Sequence, residues 1–192
     1  MLDSAATIYI LGREVRGDPA AMVDMRAGVP HVDHAQIWLV VRVETIDWGP
    51  DIMTQIAADL TRWSDAGNNV TGVQIDFDAS TRGLAGYAVF LRNVRRDLDP
   101  RYRLSVTGLL DWSSNGDPDA LAALGGTVDE IVLQTYQGRE TIPGYERYLA
   151  RLNRMTTPFR IGLVQGGEWR EPAGLRDQPM YRGTVVFLVN PR

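Results

Sequence analysis

Apolar and polar positions alternate along Val70–Asp78 so that Val73, Ile75 and Phe77 share one face, and Gln74, Asp76 and Asp78 the other. That period of two is the signature of a β-strand. Around it the pattern predicts six more strands: Thr7–Glu14, Gln36–Glu44, Arg103–Leu110, Glu130–Tyr136, Phe159–Gln165 and Gly183–Asn190. Gln36–Glu44 is apolar almost throughout, as in a strand buried on both faces of a parallel sheet. Helical spacing fills most of the gaps. Ile52, Ile56, Leu60 and Trp63 form one stripe, opened by Gly49-Pro50-Asp51 and stopped by Gly67-Asn68-Asn69. Leu84, Tyr87, Leu91, Val94 and Leu98 form a second, ended by Asp99-Pro100. Asp117-Pro118 starts a short helix that runs to Gly125, and Tyr145, Tyr148, Leu149 and Leu152 mark another. Gly17–Asp33 and Gly166–Arg182 read as loops.

Strands alternating with helices predict an α/β fold with a parallel sheet. The rhythm of seven strands is that of a TIM-like (β/α)-barrel. An open doubly wound sheet is the alternative, and it is disfavoured because no Gly-rich dinucleotide turn follows the first strand. The 192 residues are expected to form a single barrel-like domain.

Composition narrows the chemistry. The chain has no Cys, so disulfides, thiol nucleophiles and thiolate metal sites are excluded. All 20 basic residues are Arg, which excludes Schiff-base lysines and a Walker-type phosphate loop. His31 and His34 fall together in a loop at the wrong end of the expected barrel, and no metal or other cofactor is expected. The net charge of −4 gives no reason to expect nucleic acid. No apolar run is long enough to span a membrane. Met1–Ser4 does not resemble a signal peptide, which leaves the compartment open if the native N-terminus is longer.

In a barrel, ligands bind at the C-terminal ends of the strands. Those ends carry Glu14, Arg42, Glu44, Asp76, Asp78, Asp111, Trp112, Gln134, Tyr136, Gln165, Glu168, Trp169 and Asn190. Carboxylates, amides and aromatic rings together suit a carbohydrate ligand. Structural alternatives stand beside this reading. Glu14, Arg42 and Glu44 can form an ion network that only orders the fold. Gln134 and Gln165 can be satisfied interior amides, and Trp112 and Trp169 can be loop-packing residues. Asp76 and Asp78 are harder to explain structurally. As alternate strand residues their Cα atoms lie about 6.5–7 Å apart on one face. Repulsion and partial burial are then expected to raise the pKa of one of them. They could instead be a structural pair held by Arg42.

Gly72-Val-Gln-Ile-Asp-Phe-Asp78 resembles a degenerate form of the Asp-Gly-x-Asp-x-Asp-x-Glu motif of chitinase-type, family-eighteen glycoside hydrolases. Thr71 and Gln74 stand at its first two Asp positions, Asp76 at the third and Asp78 at the Glu. The resemblance implies that Asp78 is the general acid and that Asp76 positions the acetamido group of the substrate. Tyr136, in Gln134-Thr-Tyr136, matches the Tyr that contacts that group. Asp78 is one methylene shorter than Glu, and misplacement by about 1 Å can cost about a hundredfold in rate. The site is therefore expected to cleave by altered chemistry or to bind without cleaving.

A resemblance to the bacterial family "domain of unknown function 3142" covers more of the chain. It rests on Gln74–Ala79, Leu104–Leu109, Gln134–Arg139 and Gly166–Trp169. It implies the fold but no activity. The leading expectation is a glycoside-hydrolase-like barrel acting on or binding an amino-sugar-containing glycan. The alternatives are a non-catalytic glycan-binding barrel and a structural domain. Counted against chitinase-type barrels, the first strand–helix unit is missing. An upstream segment or a second copy is then expected to cover the open edge. Gly166–Arg182 is expected to lie over the barrel mouth as a mobile loop.

Overall fold

The computed structural model describes residues 5–112, 116–150, 152 and 155–188. Those residues form ten strands, eight of them in one mostly parallel sheet. The chain divides into two compact units, Met1–Phe77 with Phe90–Ser105, and Asp78–Val89 with Val106–Arg192.

The first unit contains β1 (Thr7–Arg16), β2 (Ala21–Asp24), β3 (Gln36–Val43), α1 (Pro50–Asp65) and β4 (Asn69–Asp76). It also holds the second half of α2 (Leu84–Asp97) and the start of β5 (Arg103–Leu109). The strand order is β4-β3-β1-β2. β3 pairs in parallel with β1 and β4, and β1 pairs antiparallel with β2. β3 is central because both its faces are apolar: Ile37, Leu39, Val41 and Val43 are buried on one side, Trp38 and Val40 on the other. Pro50 stands in the first turn of α1, and Ile52, Ile56, Leu60 and Trp63 are all buried. Burial of that stripe holds the helix, since truncating one such side chain to Ala costs about 2–5 kcal/mol. Gly67 follows the helix end at φ +88°, a backbone region that side chains with a Cβ rarely adopt.

The second unit contains the first half of α2, the end of β5, and α3 (Pro118–Gly125), whose first turn is capped by the Asp117 carboxylate. Next come β6 (Glu130–Gln134) and a small ribbon of β7 (Tyr136–Gln137) and β8 (Glu140–Thr141). A single helical turn, α4 (Glu146–Leu149), then β9 (Phe159–Val164) and β10 (Tyr181–Phe187) complete it. Its strand order is β10-β9-β6, all parallel.

The structure differs from the sequence expectation at several points. The main sheet has eight strands rather than seven. The extra one is β2, inside the predicted loop Gly17–Asp33, where four residues are too short to show a period. β2 covers the outer edge of β1 along Arg13–Arg16, an edge expected to be bare. The predicted strand Glu130–Tyr136 stops at Gln134, and Tyr136 belongs to the ribbon. The helix expected over Tyr145–Leu152 is only Glu146–Leu149. The predicted strand end Asn190 and the leader reading at Met1–Ser4 fall outside the described residues.

Candidate functional site

In the first unit, strand register builds three layers on one face of the sheet. A β-bulge at Thr71 resets β4 so that Gly72, Gln74 and Asp76 lie opposite Trp38, Val40 and Arg42. A second shift between Leu11 and Arg13 sets Glu14 opposite Arg42. The lowest layer, toward the strand N-termini, is aromatic. Tyr9 stacks on Trp38 at 5.7 Å between ring centroids, and the Arg103 guanidinium lies 5.9 Å from the Trp38 ring. Gly72 belongs to this layer, and a Cβ there would fall 1.9 Å from the Arg103 carbonyl oxygen.

The middle layer sets Leu11 and Val40 in one row with an amide, Gln74. Gln74 is 0% exposed and donates from Nε2 to Ser105 Oγ at 3.0 Å. Its Oε1 is buried with no hydrogen-bond partner among the described residues.

The top layer, at the strand C-termini, is charged. Register places Glu14, Arg42 and Asp76 in one row. Arg42 Nε lies 3.6 Å from Asp76 Oδ2, with the two side chains 51% and 17% exposed. Glu14 is buried and accepts from Arg16 at 2.6 Å. Glu44 follows the end of β3 and is exposed. The strand ends thus carry a negative–positive–negative row in which Glu14 is buried, Asp76 part-buried and Arg42 half exposed.

Asp78 does not continue that row. β4 ends at Asp76 because its pairing partner β3 runs out one residue past Arg42. Asp78 is exposed in the following loop, so the same-face spacing expected of an unbroken strand does not apply.

The second unit arranges the remaining candidates differently. Trp112 is 1% exposed, donates its indole N–H to the Ala79 carbonyl at 2.9 Å, and meets Tyr87 edge-on at 6.2 Å. Gly108 makes room for it, since a Cβ there would lie 2.9 Å from the ring. Trp112 is therefore a core residue and cannot stack on a ligand, which corrects the binding role expected of it. Asp111 is part-buried, with Oδ1 enclosed and without a partner among the described residues. Gln134 sits at the end of β6 opposite Gly162, and Tyr136 packs on Phe187 at 5.2 Å.

The loop after β9 begins at the C-terminal end of that strand, as expected, but it is anchored. Trp169 stacks on Tyr145 at 5.3 Å, and the Tyr145 hydroxyl bonds both the N–H and the carbonyl of Arg170. Thr141 donates to the Glu168 carbonyl at 2.9 Å, and Leu175 is buried. Gln165 and the Glu168 side chain remain exposed.

One charged cluster escaped sequence reading. Asp59 on α1 is buried and receives Arg13 Nε at 2.5 Å, Arg13 Nη2 at 2.9 Å and Arg62 Nη2 at 2.6 Å. Arg13 also pairs with Asp24. The hydrogen bonding that Arg13 donates to Asp59 is the chief cause of a raised pKa at Arg13. The signal was present in the pattern: Asp59 lies three residues after Ile56 and four before Trp63, on the buried stripe, where a lone carboxylate needs a cation.

The family model "Domain of unknown function (DUF3142)" matches residues 33–156. The chain belongs to this family. No curated protein matches it in sequence. Among solved structures, the fold is similar to the Bacillus cereus spore cortex-lytic enzyme SleL, with a TM-score of 0.51 and 19% identity over 83% of this chain and 44% of that one. It is also similar to the xylanase and alpha-amylase inhibitor protein XAIP-II from Scadoxus multiflorus, with a TM-score of 0.59 and 11% identity over 94% and 83% of the two chains. At these identities the likeness is one of fold alone. The chain spans less than half the length of the cortex-lytic enzyme.

Proposed function

We propose that this DUF3142 chain is one (β/α)-barrel-like domain of glycoside-hydrolase type, which binds an amino-sugar-containing glycan at the C-terminal ends of its strands. The carrying observation is the Glu14–Arg42–Asp76 row, in register, with the Arg42 side chain half exposed. Arg42 offers planar donors, and Asp76 and Glu14 offer acceptors. Adjacent sugar hydroxyls and an acetamido N–H are complementary to that pattern. The stacked layers beneath it are the way barrel interiors are filled, which supports the barrel reading. In the second unit, Asp78, Gln134, Tyr136, Gln165, Glu168 and Trp169 are proposed as ligand contacts of that unit's own strand ends and loops. The cortex-lytic activity in the SleL name fits a glycan ligand.

Binding without cleavage is favoured by two features. Asp76 is already paired with a guanidinium, and Asp78 stands in the general-acid position on a shorter side chain beyond the strand end. Hydrolysis with Asp78 as acid, Asp76 as positioner and Tyr136 as acetamido contact is the second reading, carried by the motif. A glycan array together with chromogenic N-acetylhexosaminides separates them. The binding reading expects retention of amino-sugar oligomers without product release. Turnover lost in Asp78→Asn would establish hydrolysis instead, and no glycan retained at all would remove both.

A further inference from the structure

A polar pocket of about 170 Å³ opens on the first unit, apart from the strand-end row. Gly12, Arg13, Asp59, Arg62 and Trp63 form its base, and the segment from Asp24 to Val29 forms its wall. Its volume suits a few waters or one small oxyanion. Three guanidiniums (Arg13, Arg26, Arg62) face two carboxylates (Asp24, Asp59), leaving one positive charge in excess.

These groups are unequally committed. Arg13 is committed to Asp59 and Asp24 through three bonds, and Asp59 accepts three bonds from Arg13 and Arg62. Arg62 spends one terminal nitrogen on Asp59, and its side chain is 57% exposed. Arg26 makes no hydrogen bond or ion pair among the described residues, and neither the Ala27 nor the Gly28 N–H is used. The pocket lining therefore includes donor-bearing residues with unused capacity, Arg26, Arg62, Ala27 and Gly28, beside the exposed Asp24 carboxylate that Arg13 holds. The buried Asp59–Arg13 pair holds Arg62 in place beneath them.

We propose that this pocket binds a small oxyanion, a phosphate or carboxylate group, through Arg26 and Arg62. A planar guanidinium fork matches both anions in two-point geometry. Asp59 and Asp24 are both held by the pocket guanidiniums, and three arginines against two carboxylates leave one positive charge for the ligand. The proposal is independent of the glycan reading.

The test is thermal unfolding of the full chain, titrated with inorganic phosphate in one arm and acetate in the other, ionic strength held constant with sodium chloride. The expected result is a saturable rise in Tm with at least one anion. Arg26→Ala should weaken the apparent affinity at least tenfold while leaving the anion-free Tm unchanged, since Arg26 holds nothing else. Arg62→Ala should weaken it as well, from a lower starting Tm. The phosphate and acetate arms together identify the preferred anion. No saturable shift with either, or a shift that Arg26→Ala leaves intact, overturns the proposal.

Discussion

The two compact units differ in where they place charge along their strands. The first puts its aromatic layer, Tyr9 and Trp38, toward the strand N-termini and its charges, Glu14, Arg42 and Asp76, at the C-termini. The second puts a buried ion pair, Glu130 with Arg160 at 2.7 Å, at the N-terminal end of β6 and β9. Rings and an amide, Tyr136, Phe187 and Gln134, gather toward its C-terminal ends. The same alternation of strand residues thus serves two purposes. At the N-terminal ends of β6 and β9 the Glu130 carboxylate is enclosed and paired with Arg160. At the C-terminal ends of the first unit Glu14 is buried against Arg16 and Asp76 is part-buried, while Arg42 is half exposed and keeps donors for a ligand. The difference also separates residues that carry stability from those that meet a ligand.

Substitutions at enclosed groups should have the largest effects. Asp59→Ala leaves the Arg13 guanidinium buried without its main partner and should lower stability by about 3–5 kcal/mol, read by urea unfolding. Glu130→Ala should cost less, because Arg160 is more exposed than Arg13 and keeps a bond to the Arg182 carbonyl. The reverse order would break the contrast between a carboxylate held by two guanidiniums and one paired with a more exposed arginine.

Trp112→Ala should cost about 3–5 kcal/mol, as for other large core aromatics. Trp169→Ala, which removes a stacked pair at a partly exposed loop, should cost about 0.5–1.5 kcal/mol. Equal losses in thermal melts would mean that Trp169 is as much a core residue as Trp112. The open row should respond least. Asp76→Asn should change stability by only about 0–1 kcal/mol, because its partner Arg42 is half exposed. Asp78→Asn should stay within about 0.5 kcal/mol.

What was legible in the sequence followed from periodicity. The apolar stripe of α1, the unbroken apolar run of β3 and the two-faced pattern of β4 each specify one element and its buried side. Gln74 and Asp76 could be assigned to the polar face before any fold was known. Asp78 could not be placed the same way, because the end of β4 depends on where β3 stops pairing, a tertiary fact. Trp112 looked like a ligand platform because a Trp after a strand reads alike whether it faces solvent or core. Its burial follows from Gly108 and the Ala79 carbonyl, which are distant or silent in the pattern. β2 was missed for want of length, and the Arg13–Asp59 pair joins residues 46 positions apart.

The most direct test of the strand-end row is calorimetric titration of N-acetylglucosamine oligomers into the wild-type chain and into Arg42→Ala and Asp76→Asn, with a melting curve for each protein. Saturable binding to the wild type is expected, weakened at least tenfold in both variants while their melting temperatures stay close to that of the wild type. Binding that survives both substitutions unchanged, or its absence from the wild type, would contradict the assignment of the Glu14–Arg42–Asp76 row as a glycan-binding surface.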